Sequence, residues 1–477
     1  MNLIRYAILF ILLIGCNSCR KDLNVKNEIE EAIELGEFTK TEHLLNEQIE
    51  KNFNNEELTK AYRIQLETIS RIRKEFTLTQ GDVLERLEPY FPGVTGTDLD
   101  KWEEAKQLEM RIIDGEKRYF NRSVSNFFRL NKEAKKRKES LDGKGYDGVE
   151  DFQQNVIPGY FEKGIEQAIP FDPKKIKVNY TIRLKPNAVP DRETVKCWLP
   201  YPRIHNQRLP EVEFLNASQE EYIIAPEEML QRTVYMEKTA IKDSATVFSI
   251  SYIFHTSAQW FGVTPDQVKP YDKSGDIYRE YTAERKPHIV FSDEVRSLAK
   301  QITGKETNPA EQVKMLYYWL NDNIPWAGAL EYSTMSCIPE YVLENRRGDC
   351  GMQTFLFLSM ARSLGIPCKW QSGWYLLPQE KNLHDWAEVY YEGIGWVPVD
   401  ISFKLIDSYN EKIKEFYLNG IDSYRLIVND DFAKELYPKK KYYRSEPYDF
   451  QRGELEWEGG NLYFDQWSYS MEVEYLD

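Results

Sequence analysis

The sequence predicts an α+β multidomain chain: a helical N-terminal region, a β-sandwich domain, a mixed α+β core and a β-rich C-terminal extension. Three observations carry this. A length of 477 residues exceeds what one ordinary hydrophobic core supports. The apolar spacing changes from helical to alternating near residue 170, and back to helical near residue 275. A nearly uncharged helix followed by short apolar strands then fills the stretch from Cys350 to Asp400. The divisions read from these changes are residues 1–19, 20–150, 170–270, 275–405 and 406–477.

In the first division, Arg5 precedes an apolar run from Tyr6 to Ile14 that ends at Gly15-Cys16. A short apolar run behind a basic residue is an export signal rather than a membrane span. Its ending, Leu13-Ile14-Gly15-Cys16, resembles a bacterial lipoprotein box. The resemblance implies cleavage before Cys16 and acylation of its thiol, with Cys19 as the alternative acceptor. The expected location is the cell envelope, lipid-anchored to a bacterial membrane and facing the periplasm or the exterior. A net charge of -15 with no basic domain to offset it argues against a nucleic-acid partner. The other cysteines, Cys197, Cys337, Cys350 and Cys368, are too few for a disulfide scaffold, and Cys337 and Cys350 are expected to stay unpaired. None shows metal-ligand spacing and the chain has only 5 histidines, so neither a metal nor a cofactor is expected.

In the second division, Glu28 to Leu35 and Thr39 to Ile49 are helical segments joined across Gly36. Thr79 to Glu88 and Thr97 to Lys106 follow as helices, and Asp114-Gly115 between two β-prone runs signals a hairpin. Helix, helix and hairpin resemble a small winged-helix unit, for which the export signal favours a structural or docking role over DNA. Asn131 to Asp151 reads as a linker or an exposed helix. In the third division Ile176, Val178, Tyr180, Ile182 and Leu184 alternate with polar residues, the mark of a half-buried strand. Further strands to Phe254 complete a sandwich of about 100 residues.

The fourth division carries chemistry. Asn308-Pro309 opens a helix with Val313, Leu316, Tyr317 and Leu320 on one stripe. Gly348-Asp349-Cys350-Gly351 then leads into Met352 to Leu364, a run with a single charge, stopped by Gly365-Ile366-Pro367. Cys350 stands at the N-terminal end of this central helix, where backbone amides and the positive dipole end favour a thiolate and could hold an oxyanion. His384 to Tyr391 reads as a strand, Glu392-Gly393-Ile394-Gly395 as a turn, and Trp396 to Asp400 as the returning strand. Folding about that turn brings Asp400 toward His384, where a carboxylate would fix the imidazole tautomer. Alone, each residue has an ordinary structural reading; together they suit nucleophilic catalysis by Cys350, His384 and Asp400.

The stretch from Arg346 to Asp400 resembles the core of the transglutaminase-like superfamily, with the wider match over about 275–405. The matching features are Arg-Gly-Asp-Cys-Gly at 347–351, Arg-Ser-Leu-Gly-Ile-Pro at 362–367, His-Asp-Trp at 384–386 and Gly-Trp-Val-Pro-Val-Asp at 395–400. The resemblance implies a papain-like α+β core, a Cys350-His384-Asp400 triad and acyl chemistry on amides through a thioester. Trp326, Tyr332, Gly351 and Trp386 are the expected oxyanion and groove residues. Hydrolysis as a protease or amidase is expected, because a thioester not shielded from water hydrolyses. The substrate would be a protein or peptide, cell-wall peptide included. The alternatives are glutamine-directed crosslinking and a non-catalytic scaffold that binds envelope peptide or glycan. The final division, with Trp457 and Trp467, is expected to pack beside the cleft.

Overall fold

The computed structural model describes residues 17–204 and 207–476; the expected export signal and the acylation expected at Cys16 fall outside the described residues. The chain divides into two units that meet at Phe127 and Phe128. The first unit begins with α1 (Asn17–Glu34), α2 (Phe38–Lys51) and α3 (Glu56–Glu75). Gly36 makes the first turn with φ at +74°, and a Cβ there would lie 2.0 Å from the Ile112 carbonyl oxygen, so only glycine fits. Two short helices follow, α4 (Gln80–Leu87) and α5 (Gly96–Glu104), then the hairpin β1 (Met110–Ile113) and β2 (Glu116–Tyr119). Thr79 and Asp82 cap α4 reciprocally, and Leu78 bridges Tyr119, so a short extended segment lies beside the hairpin.

Across the boundary run α6 (Ser123–Leu130), α7 (Lys132–Asp142), α8 (Gly148–Asn155) and α9 (Ile157–Glu162). Of the two readings for Asn131 to Asp151, a linker or an exposed helix, the structure has helix over Lys132–Asp142 and from Gly148 on. Beyond its charged exterior, Phe152, Ile157 and Tyr160 are buried with Tyr375, Phe403, Phe416 and Tyr417. The sandwich follows with β3 (Phe171–Leu184), β4 (Thr194–Pro200), β5 (Val212–Ala217), β6 (Ile223–Ile224), β7 (Thr233–Thr239) and β8 (Thr246–Trp260).

Next come α10 (Asp276–Tyr281), α11 (Asp293–Thr303), α12 (Pro309–Asn323), α13 (Ile338–Asn345) and α14 (Cys350–Ser363). They are followed by β9 (Cys368–Leu376), β10 (Lys381–Tyr391), β11 (Gly395–Val399), α15 (Glu411–Lys414), β12 (Gly420–Ile421) and β13 (Arg425–Asn429). The chain ends with β14 (Glu454–Trp457), β15 (Gly460–Leu462) and β16 (Trp467–Tyr475).

Three larger sheets organise this second unit. The core sheet has the order β11-β10-β9-β13, with α14 against β9 and β10 and α11, α12 and α13 around that helix. Thirteen of the fourteen residues of α14 are buried, as its lack of charge requires. The sandwich sheets are β12-β8-β3-β16, with β5 also on β8, and β15-β14-β4-β7-β6. Ile176, Val178, Tyr180, Ile182 and Leu184 enter one core with Cys197, Trp198, Phe248 and Leu455. The C-terminal residues are therefore not an appendage: β12 and β16 finish one sandwich sheet, and β14 and β15 finish the other. The partners of β12, β14 and β16 lie far back in the chain, on β8, β4 and β3, so local patterning cannot reveal the pairing.

Candidate functional site

Asp349 caps α14, its side chain accepting from the Met352 amide at 3.0 Å and from the Tyr332 hydroxyl at 2.6 Å. Cys350 is the first helical residue and is 8% exposed, so a substrate could meet its sulfur only through a narrow opening. Gly351 is required behind it: a Cβ would lie 2.1 Å from the Tyr332 hydroxyl oxygen and 2.8 Å from Asp385 Oδ2.

His384 lies on β10. Antiparallel pairing sets Ala387 opposite Val399, so Asp400 follows just past the end of β11 and reaches back along the hairpin. His384 Nε2 is 2.7 Å from Asp400 Oδ2. The same carboxylate oxygen accepts from Arg425 Nη1 at 2.7 Å, and Oδ1 accepts from the Phe403 amide at 3.2 Å. Arg425 in turn donates through Nε to Asp422 at 2.8 Å and lies over the Phe403 ring at 4.1 Å. Burial pushes the Asp400 carboxyl up, but His384 and Arg425 together outweigh it and hold it below the usual carboxylate range. Burial also lowers the His384 imidazole, more than Asp400 raises it, so the resting ring is neutral.

Cys350 hydrogen-bonds elsewhere. Its thiol donates to Asp385 Oδ2 at 3.2 Å rather than to His384. Ala387 and Val389 pack with α14, whereas Trp386 enters the sandwich core. His384 shares the parity of Trp386 and turns toward Asp400 and Phe403. The expectation of a lowered thiol pKa is also corrected. Burial, then the Asp385 and Asp349 carboxylates, push the Cys350 thiol well above its ordinary value. Burial, then Asp449 and Asp349, likewise raise the Asp385 carboxyl well above its usual range.

Residues 296–401, which contain Cys350, His384 and Asp400, match the family model of the transglutaminase-like superfamily. This core belongs to that superfamily. Over 141 residues the chain is 28% identical to an uncharacterized protein of Haemophilus influenzae, covering 24% of this chain and 37% of that one. Over 128 residues it is 27% identical to the uncharacterized protein YebA of Bacillus subtilis, covering 22% and 17%. The match therefore spans about a third of the first relative and less than a fifth of the second. Among solved structures, a candidate cysteine protease from Cytophaga hutchinsonii is similar at 16% identity and a TM-score of 0.44, covering 65% of this chain and 93% of that one.

Within the transglutaminase-like core, the expected groove residues take different places. Tyr332 stands at the start of α14, but its hydroxyl is committed to Asp349. Trp326 bridges to Gly348 through its backbone, and Arg129 covers its ring at 4.6 Å. Trp386 does not line a groove: it is fully buried, donates to Gln371 Oε1 at 2.7 Å and stacks beneath His384. Bulky residues next to a histidine on a two-sided sheet are drawn into the core instead. Cys197, Cys337, Cys350 and Cys368 are all free thiols. Among the described residues no cluster of three or more His, Cys, Asp or Glu side chains could hold a metal ion.

Three residues around the site escape a reading of the sequence. Arg425 on β13 and Gln451 before β14 come from beyond the matched segment. Gln451 Nε2 donates to the His384 carbonyl at 2.9 Å and to Asp385 Oδ1 at 2.8 Å. Asp385 had a signal, since alternation beside a strand histidine puts its neighbour on the helix-facing side.

Proposed function

We propose that the chain is a cysteine acyl-enzyme that hydrolyses amide bonds with Cys350 as nucleophile, His384 as base and Asp400 as its orienting carboxylate. The observation that carries this is the buried His384–Asp400 contact at 2.7 Å, with Arg425 fixing the carboxylate on the other side. With Nε2 engaged by Asp400, the imidazole offers Nδ1 to the thiol. Cys350 turns from Asp385 to that nitrogen, gives up its proton and attacks the substrate carbonyl. Backbone amides at the start of α14 stabilise the oxyanion. The imidazolium returns the proton to the leaving amine and a thioester remains. Water, deprotonated by His384, then releases the acid and restores the thiol.

Protein or peptide substrates, cell-wall peptide among them, fit an enzyme tethered through an acylated Cys16 in the bacterial envelope. Water is the default acceptor there, because a thioester not shielded from it hydrolyses. Profiling the purified chain against peptide and cell-wall fragments, with Cys350→Ala as control, tests this reading. New N-termini or released ammonia that vanish in the control are expected. Incorporation of a labelled amine into glutamine peptides would replace hydrolysis by crosslinking. The protonated thiol on Asp385 favours the second reading, a non-catalytic scaffold, and a Cys350 inert to iodoacetamide at every pH would establish it.

A further inference from the structure

We infer that Asp385 is a positioning residue that holds the Cys350 thiol in a protonated resting position, from which it must be released before it can meet His384. This rests on the reading of Cys350 as nucleophile. The hold is geometric. Asp385 is 2% exposed, and its Oδ2 accepts the thiol at 3.2 Å. Its Oδ1 is pinned by Gln451 at 2.8 Å, and Gln451 is fixed in turn on the His384 carbonyl. The carboxyl group therefore cannot swing aside alone. Gly351 leaves the space it occupies, since a Cβ there would come within 2.8 Å of Oδ2.

The charges around the pair oppose a thiolate. Asp349 caps α14, and Asp449 and Glu446 approach from the loop before β14. Tyr332 and Tyr375 add uncharged phenols. Arg452, from the same loop, is taken by Glu331 at 3.0 and 2.6 Å and by Glu446. Among the described residues no cation pairs with Asp385 as Arg425 pairs with Asp400. Forming the thiolate in place would set a second negative charge against a buried carboxylate. Release breaks the S–H···O contact, the S–H proton passes to His384 Nδ1, and Asp385 keeps its bond to Gln451.

The test is the rate of Cys350 alkylation by iodoacetamide against pH in the full chain, read by peptide mass spectrometry to separate it from the other thiols. Asp385→Asn keeps the shape and replaces the oxygen facing sulfur by an N–H donor. Its alkylation midpoint is expected to fall by about one pH unit or more, equivalent to roughly tenfold faster labelling below the midpoint. Asp385→Ala should move it the same way and serves where the asparagine variant does not fold. A midpoint that is unchanged or raised in the folded variant overturns the inference. His384→Ala separates this from the triad: it should raise the midpoint. If it has no effect while Asp385→Asn lowers the midpoint, the hold stands and the triad falls. The opposite pattern keeps the triad and removes the hold.

Discussion

Asp400 and Asp385 stand on opposite sides of one hairpin strand, enclosed to the same degree at 1% and 2% exposure, and they titrate in opposite directions. Burial opposes ionisation at both. Asp400 receives a guanidinium, an imidazole and a backbone amide, and remains a carboxylate. Asp385 receives a thiol and a neutral amide, with further carboxyl groups nearby, and its carboxyl is raised above the usual range. The difference shows that one buried cation, not depth, decides which carboxyl can orient a base. Arg425 is that cation, held against Asp422 and three aromatic rings.

Removing the cation should therefore erase the contrast, with the largest effect. Arg425→Met leaves Asp400 and Asp422 buried without their charge partner, and a loss of about 3–5 kcal/mol is expected from urea unfolding. Peptide hydrolysis should disappear with it, because a protonated Asp400 no longer stabilises the imidazolium. Crowding the other side should have a smaller effect. Gly351→Ala drives a Cβ against the Tyr332 hydroxyl and Asp385 Oδ2, at an expected cost of about 1–3 kcal/mol. Adding Tyr332→Phe removes the nearer atom and should recover part of that loss in thermal unfolding. If the double variant is no more stable than Gly351→Ala, Tyr332 is not the obstacle.

One side of the contrast was legible in the sequence and the other was not. The uncharged run after Cys350 announced α14, and Glu392-Gly393-Ile394-Gly395 announced the turn that carries Asp400 back to His384. Those are local patterns with period or turn chemistry behind them. Arg425, Asp422 and Gln451 arrive from strands and loops whose place depends on sheet pairing, with β13 beside β9 and β14 beside β4. No periodicity in residues 420–460 encodes that pairing. Asp385 is legible too, since it sits beside His384 in the His-Asp-Trp stretch at 384–386 and strand alternation turns it to the other face. The helical pair α8 and α9 was hidden for a different reason: both helices are short, and their buried residues Phe152, Ile157 and Tyr160 pack on partners far along the chain.

A third buried group calibrates what burial does with no charge nearby. His288 accepts from the Ile338 amide through Nδ1 at 3.2 Å and packs against Tyr448 and Phe355. Burial pulls its pKa from the ordinary 6.5 to about 3. A histidine lowered in the fold contributes stability that is complete above 6.5 and lost as pH falls toward 3. That loss is about 1.4 kcal/mol per pH unit. His288→Asn keeps an acceptor for Ile338 and cannot take up a proton. Urea midpoints measured between the two values should fall less steeply in the variant, and equal slopes would mean that His288 is protonated in the fold.

Against that baseline the smallest effect is also the most discriminating, because its sign differs between the two aspartates. The raised carboxyl of Asp385 contributes stability below the ordinary carboxylate range and loses it as pH rises through its elevated value. Replacement by asparagine removes this neutral-pH penalty, so Asp385→Asn should stabilise the chain at pH 7. Asp400 is lowered, so its contribution is present above the ordinary range and is lost as pH falls through its depressed value. Asp400→Asn should destabilise at pH 7 and approach the parent chain in acid. Parallel urea titrations of both variants read the two signs directly. If both lose stability at pH 7, the Asp385 carboxyl is not raised, and the contrast between the two aspartates does not exist.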